Sequence, residues 1–135
     1  MRSPVRTISE DDTVEIAAKI MREANIGFLP VHDFSAHFVG TLTDRDIALR
    51  VVAEGLPTGT KVGLVMTREA IACRPDDPIQ DAERMMATHR KSRIVCTTGS
   101  GYIEGVISIG DLATDDAPAS VGRLLREIAT RDVRH

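Results

Sequence analysis

Sliding the chain against itself by 65 residues superposes its two halves without a gap, Met1 falling on Met66. Asp11 and Asp12 then fall on Asp76 and Asp77, Ala17 on Ala82, Met21 on Met86, Ser35 on Ser100, Gly40 on Gly105, Asp46 on Asp111 and Ala48 on Ala113. The apolar positions agree as well: Val14 with Ile79, Ile20 with Met85, Leu29 with Ile94, Leu42 with Ile107, Ile47 with Leu112. An internal repeat of this kind restricts the architecture more than any single motif. Each half is too short to bury a stable core alone, so the halves are expected to pack on each other about a pseudo-twofold axis.

Both halves read as strand, helix, strand, strand, helix. A short strand over 5–8 is matched by one over 70–74. The first helix starts at Asp12 with Glu15 three residues on; its counterpart has Asp77, Pro78 and Gln80. Val14, Ala17, Met21 and Ala24 form an apolar stripe at helical spacing, and Gly27 is expected to end the helix. Residues 28–32 and 37–42 read as a hairpin turning near 33–36; the second copy turns at Thr98-Gly99-Ser100-Gly101. A helix over 44–54 closes on Gly55. The boundaries that follow are 1–54 for the first motif, 55–64 for a Gly- and Pro-rich linker with a helical turn near its end, and 65–114 for the second motif. A tail over 115–135 begins in an acidic, Pro-containing break. Over 120–131 it carries Val121, Leu124, Leu125 and Ile128 on one helical face. The fold class is mixed α/β, in the α+β sense: two β-α-β-β-α motifs plus a C-terminal helix.

The strings Gly40-Thr-Leu-Thr-Asp-Arg-Asp-Ile47 and Gly105-Val-Ile-Ser-Ile-Gly-Asp-Leu112 share one pattern: Gly, two apolar residues, Thr or Ser, two variable residues, Asp, apolar. With Val65-Met-Thr67, Asp76-Asp-Pro-Ile79 and Ile26-Gly-Phe-Leu-Pro-Val31, they resemble the CBS family, over about residues 1 to 114. The resemblance implies a tandem pair, often called a Bateman domain, that binds adenosine-containing ligands in clefts between its motifs and often pairs into flat dimers. The ligands implied are AMP, ADP, ATP or S-adenosylmethionine, with no required cofactor and no catalytic residues. The ligand-binding positions implied are Thr7, Phe28, Pro30, Thr43, Arg45, Asp46, Arg93, Ser108 and Asp111. The second copy departs from the first in having Val95 where Pro30 stands. With no enzyme, channel or transporter in the same chain, the regulated protein is expected to be a separate one.

Chemistry gives each site residue two readings. Thr43-x-x-Asp46 and Ser108-x-x-Asp111 sit where a strand feeds a helix. The helix N–H groups there attract phosphate, and the carboxylate can accept hydrogen bonds from both ribose hydroxyls. The same spacing is also a capping box. In His89-Arg-Lys-Ser-Arg93, Arg90 and Lys91 suit a helix C-terminus, whereas Arg93 opens a strand where the first copy has Phe28. Arg45 is flanked by Asp44 and Asp46, so an ion pair competes with a ligand role.

Composition excludes several classes. The net charge is −3 and the pI about 5.8, against a nucleic-acid partner. The core is aliphatic, because only 3% of residues are aromatic and Trp is absent. No run approaches the ~20 apolar residues of a membrane span, and no apolar leader opens the chain, so a cytoplasmic location is expected. Cys73 and Cys96 read as small core residues, a disulfide being disfavoured in that compartment. His32 and His37 bracket a turn, but two ligands rarely hold a metal. No phosphate loop, nucleophile elbow or triad is present. The leading expectation is a nucleotide-sensing homodimer, its surface supplied in part by the tail. The alternative is a stress-type protein of the same fold that binds no nucleotide and acts through protein contacts.

Overall fold

The computed structural model describes residues 5–112 and 118–134. It divides into two compact units, one spanning 6–70 and one beginning at Ile71, and each repeats the expected order of elements. Of the break read over 114–118, residues 114–117 lie outside the described part.

In the first unit, β1 (Ile8–Ser9) runs parallel to β2 (Phe28–His32), and β2 pairs antiparallel with β3 (Phe38–Thr43). A two-residue strand, β4 (Thr67–Arg68), adds to the far side of β3, giving the order β1-β2-β3-β4. Leu29 and Val31 alternate with Pro30 along β2 and put their side chains on one face. There they meet Val14, Ala17 and Met21, the predicted stripe of α1 (Val14–Ala24). Leu42, Val51, Val62, Val65 and Met66 complete this core. The segment read as a linker therefore carries Val62 to zero exposure, through a short 3-10 turn (Val62–Leu64). After β3, α2 (Asp44–Ile47) continues as a π-helical turn (Ala48–Val52).

The second unit has the sheet order β5-β6-β7. β5 (Ala72–Cys73) is parallel to β6 (Arg93–Thr97), which pairs antiparallel with β7 (Ile103–Ser108). The register shifts between Cys96 and Thr97, as it does between Val31 and His32 in the first unit. These are the same point of the repeat. α3 (Ile79–Thr88) buries Ile79, Ala82 and Met86, and α4 (Ile109–Leu112) follows β7. The final helix, α5 (Val121–Arg134), buries Val121 and Leu124 in this unit's own core, with Leu125 and Ile128 against it. Two such side chains stabilise the unit by about 1.5–3 kcal/mol each. The apolar face read as dimer surface is thus consumed within the chain.

The helix ends differ from expectation. Thr13, not Asp12, caps α1: its Oγ1 accepts the Ile16 N–H at 3.3 Å. The next orphan donors, Val14 and Glu15 N–H, reach the carbonyls of Thr60 and Thr58. Pro78 takes the cap position of α3, while the Asp77 carboxylate turns back to the Arg74 N–H at 2.8 Å. The Ile79 N–H is satisfied by Ala119 O. Distant backbone does in both units what a local side chain was expected to do. At the other end, Asn25 takes the left-handed position (φ 55°) in place of Gly27. Asn tolerates that conformation better than most residues.

Cys73 and Cys96 are direct cross-strand neighbours, buried and unbridged. The Cys73 thiol donates to Val95 O at 3.7 Å. The thiol–thiol contact and burial push the Cys96 thiol far above its ordinary value, so it packs as a small neutral core group.

Candidate functional site: two strand-to-helix junctions

Each unit builds the same corner. In the first, Phe28 opens β2 opposite Thr43, the last residue of β3. Thr43 Oγ1 accepts the Asp46 N–H at 3.0 Å, and Asp46 Oδ2 accepts the Thr43 N–H at 3.0 Å. This reciprocal pair is a complete capping box. The other early donors of α2 are also engaged. The Asp44 N–H reaches Gly27 O at 3.0 Å, and the Arg45 N–H reaches Asp44 Oδ1 at 2.8 Å. The helix start is therefore closed on itself and presents no array of open N–H groups to a phosphate. Gly27 belongs to this corner, because a Cβ there would stand 2.6 Å from Asp44 Oδ2.

In the second unit, Arg93 lies across from Ser108. Asp111 Oδ2 accepts both the Ser108 N–H (2.8 Å) and the Ser108 hydroxyl (3.0 Å). Ser108 Oγ accepts the Asp111 N–H at 3.3 Å. The Ile109 N–H bonds Ser92 O, as Asp44 bonds Gly27. Ile109 offers no carboxylate to the Gly110 N–H, however, and Gly110 carries no side chain to shield it.

The predicted residues thus separate into groups. Phe28, Thr43 and Asp46 meet at the first corner, and Arg93, Ser108 and Asp111 at the second. Arg45 is exposed and forms no ion pair with either flanking acid. The cation that Asp46 does meet is Arg50, whose Nη2 is 3.6 Å from Asp46 Oδ1. Sequence reading missed Arg50, although its position four residues after Asp46 was a signal for such a pair. Pro30 is fully buried. Thr7 lies half-buried just before β1, with no hydrogen bond to Thr43 or Asp46.

The histidines sit elsewhere. His32 Nδ1 lies 2.9 Å from Asp33 O, and His37 Nδ1 lies 3.8 Å from Asp33 Oδ1. Among the described residues no group of three or more His, Cys, Asp or Glu side chains is placed to hold a metal ion, and no helix is long and apolar enough to cross a membrane.

Comparison with known proteins matches this geometry. The CBS domain profile fits residues 1–53 and 62–116. The CBS domain-containing protein YhcV of Bacillus subtilis is 34% identical over 134 residues, spanning 98% of this chain and 94% of that protein. The structure of Hypoxic Response Protein I with two coordinated zinc ions superposes with a TM-score of 0.76 at 28% identity, over 87% of this chain and 95% of that one. The CBS domain pair of protein MJ0100, solved in complex with 5′-methylthioadenosine and S-adenosyl-L-methionine, gives 0.71 at 25% identity, over 82% and 86%. Two copies of one corner, in two units of one topology, are what that profile describes twice over: this chain belongs to the CBS domain family.

Proposed function

We propose that the chain is a cytoplasmic, non-catalytic sensor of adenosine-containing ligands, with AMP, ADP, ATP and S-adenosylmethionine as the class. The observation that carries this reading is the doubled carboxylate. Asp46 and Asp111 occupy equivalent corners, and each is oriented by a backbone N–H through one oxygen. A carboxylate has about four acceptor sites, so capping leaves capacity for the two hydroxyls of a ribose. The methylthioadenosine and S-adenosylmethionine complex of MJ0100 supports the same ligand class. Thr43 and Ser108 assist, Phe28 and Arg93 flank the two corners, and Arg45 is an available cation. Thr7 and the buried Pro30 enter by shaping the surroundings. Occupancy shifts the population of conformations that dock on a separate regulated protein, and the sensor acts as a homodimer.

A second reading, a nucleotide-free protein working through protein contacts, draws on Leu49, Val52 and Leu56. These are 49%, 73% and 42% exposed, in and just after the π-helical turn that continues α2. A thermal-shift panel of adenosine, AMP, ADP, ATP, S-adenosylmethionine and methylthioadenosine separates the two, since ligands that bind the folded state raise Tm by mass action. A flat panel leaves the protein-contact reading. With a binder in hand, Asp46→Glu with Asp111→Glu tests the ribose role. Glu serves a capping box as well as Asp, so Tm without ligand holds. Displacing the carboxylate by ~1 Å forfeits paired hydrogen bonds, costing ~1.5–3 kcal/mol of affinity. Undiminished adenosine binding would reduce both aspartates to caps.

A further inference from the structure

Arg50 makes three contacts, and the two beyond its i,i+4 pairing with Asp46 are ones no local helix role requires. Its Nη1 donates to Val65 O at 2.9 Å and to Thr67 Oγ1 at 3.1 Å, while Nη2 faces Asp46 Oδ1 at 3.6 Å. Val65 is in the first unit's core, and Thr67 opens β4, paired with Thr41 of β3. The guanidinium is thus anchored at one end to packed backbone and presents its other end to the carboxylate. A planar fork fixed at two points transmits that fixed geometry, which a flexible ammonium does not. Arg50 also lies within the π-helical turn, closed by the Ala53 N–H on Ala48 O at 2.9 Å. That wider winding places side chains at angles an α-helix would not give.

Asp46 is consequently held through both oxygens, Oδ2 by the Thr43 N–H and Oδ1 by Arg50, and its side chain is only 15% exposed. At 3.6 Å, with the Arg50 end open to solvent, the pair contributes little to stability, so the weight of the contact lies in orientation. We propose that Arg50 is the positioning residue of the first corner. It sets the Asp46 carboxylate for a vicinal diol and ties that carboxylate to residues 65–67, the stretch leading out of the first unit. The proposal rests on the ribose reading above. It also makes the two corners unequal, because the 65-residue repeat puts Asp115 where the first copy has Arg50.

The test uses the full chain with Asp111→Asn, so that one ribose carboxylate remains, and titrates adenosine and 2′,3′-dideoxyadenosine by calorimetry. Arg50→Met is expected to weaken adenosine about tenfold and to leave the dideoxy analogue within about twofold. Arg50→Lys, which keeps the cation and loses the fork, is expected to recover only part of the adenosine affinity. Equal weakening of both ligands, or none, overturns the positioning role. If the dideoxy analogue is not held even with Arg50 intact, the diol is indispensable and an unchanged adenosine Kd in Arg50→Met overturns it alone. Asp46→Asn in the same background keeps the two failures apart. Adenosine lost with Asp46→Asn but not with Arg50→Met leaves the ribose reading and removes the role of Arg50. Adenosine retained with Asp46→Asn removes both.

Discussion

Gly40 and Gly105 occupy the same place in the two units, yet different things press on them. A Cβ on Gly40 would collide with the Thr67 carbonyl oxygen and stand 3.1 Å from Arg68 Cα, both backbone atoms of β4. A Cβ on Gly105 would stand 2.7 Å from Leu125 Cδ2, the tip of a side chain on α5. The first unit is closed by the chain's own continuation as a strand, the second by an appended helix. A motif of about fifty residues leaves surface that it cannot cover itself, and the two copies solve that with different elements. The shared glycine records a shared need for close approach; the partner is particular to each copy.

The corners differ in the same spirit. The first is rich in charge: Asp44 folds over Gly27 and takes the Arg45 N–H, and Arg50 holds Asp46. The second replaces Asp44, Arg45 and Phe28 by Ile109, Gly110 and Arg93. One corner is sealed by its own acid. The other carries a cation beside a helix start with less of its own to satisfy it.

The largest effect expected from breaking the first comparison is on stability. Gly40→Ala forces backbone apart and should cost about 3 kcal/mol, the upper end for overpacking. Gly105→Ala asks only a leucine tip to move and should cost about 1 kcal/mol. Urea unfolding of the two variants reads the difference. Equal losses would mean that β4 and α5 close their units with the same rigidity.

Next in size is the contrast between Arg93 and Phe28. Arg93 is exposed at the mouth of its corner, so Arg93→Ala should weaken AMP by the weight of a solvent-screened charge-assisted contact, roughly fivefold to tenfold, and adenosine little. Phe28→Ala should affect AMP and adenosine alike, since an aromatic edge contributes apolar contact whatever the phosphate. If Arg93→Ala costs both ligands equally, Arg93 only shapes its corner, and the corners do not divide by charge.

Much of this was legible in the chain because it is local and repeated. The stripe of Val14, Ala17 and Met21, its copy in Ile79, Ala82 and Met86, the hairpins, and the two hydroxyl–carboxylate boxes all follow from spacing within a few residues. What was missed is non-local. The α1 donors find Thr58 and Thr60, α3 finds Ala119, and Arg50 finds Val65 and Thr67. No short window contains those pairs. Gly27 was misread for a related reason: its glycine serves Asp44, seventeen places on, while Asn25 ends the helix. The strands β1, β4 and β5, at two residues each, are too short for alternation to reveal their limits.

The smallest expected effect separates the two hairpin turns. Asp33 Oδ1 accepts the N–H groups of Ser35 and His37, both at 2.9 Å. At the equivalent position Thr98 uses its neutral hydroxyl for the Tyr102 N–H at 3.1 Å. The His37 N–H, chiefly, holds the Asp33 carboxyl below its ordinary value. The Ser35 N–H and the nearby His37 and His32 rings add to this, against the opposing pull of desolvation. A folded-state value below the unfolded one, ~3.9, means that the stabilisation is fully present above about pH 4. It is lost as pH falls through the folded value. The carboxyl is half-buried at the surface and its bonds stay within residues 33–37, so the consequence is local loosening of one turn. Amide NMR from pH 5 downward should show Ser35 and His37 titrating together with a midpoint below ~3.9, while the Thr98 turn has no carboxylate of its own to titrate. Asp33→Asn should abolish the transition. A midpoint at or above ~3.9, or Ser35 and His37 amides that do not move, would mean that the carboxylate does not carry the first turn, and the two hairpins would then be equivalent.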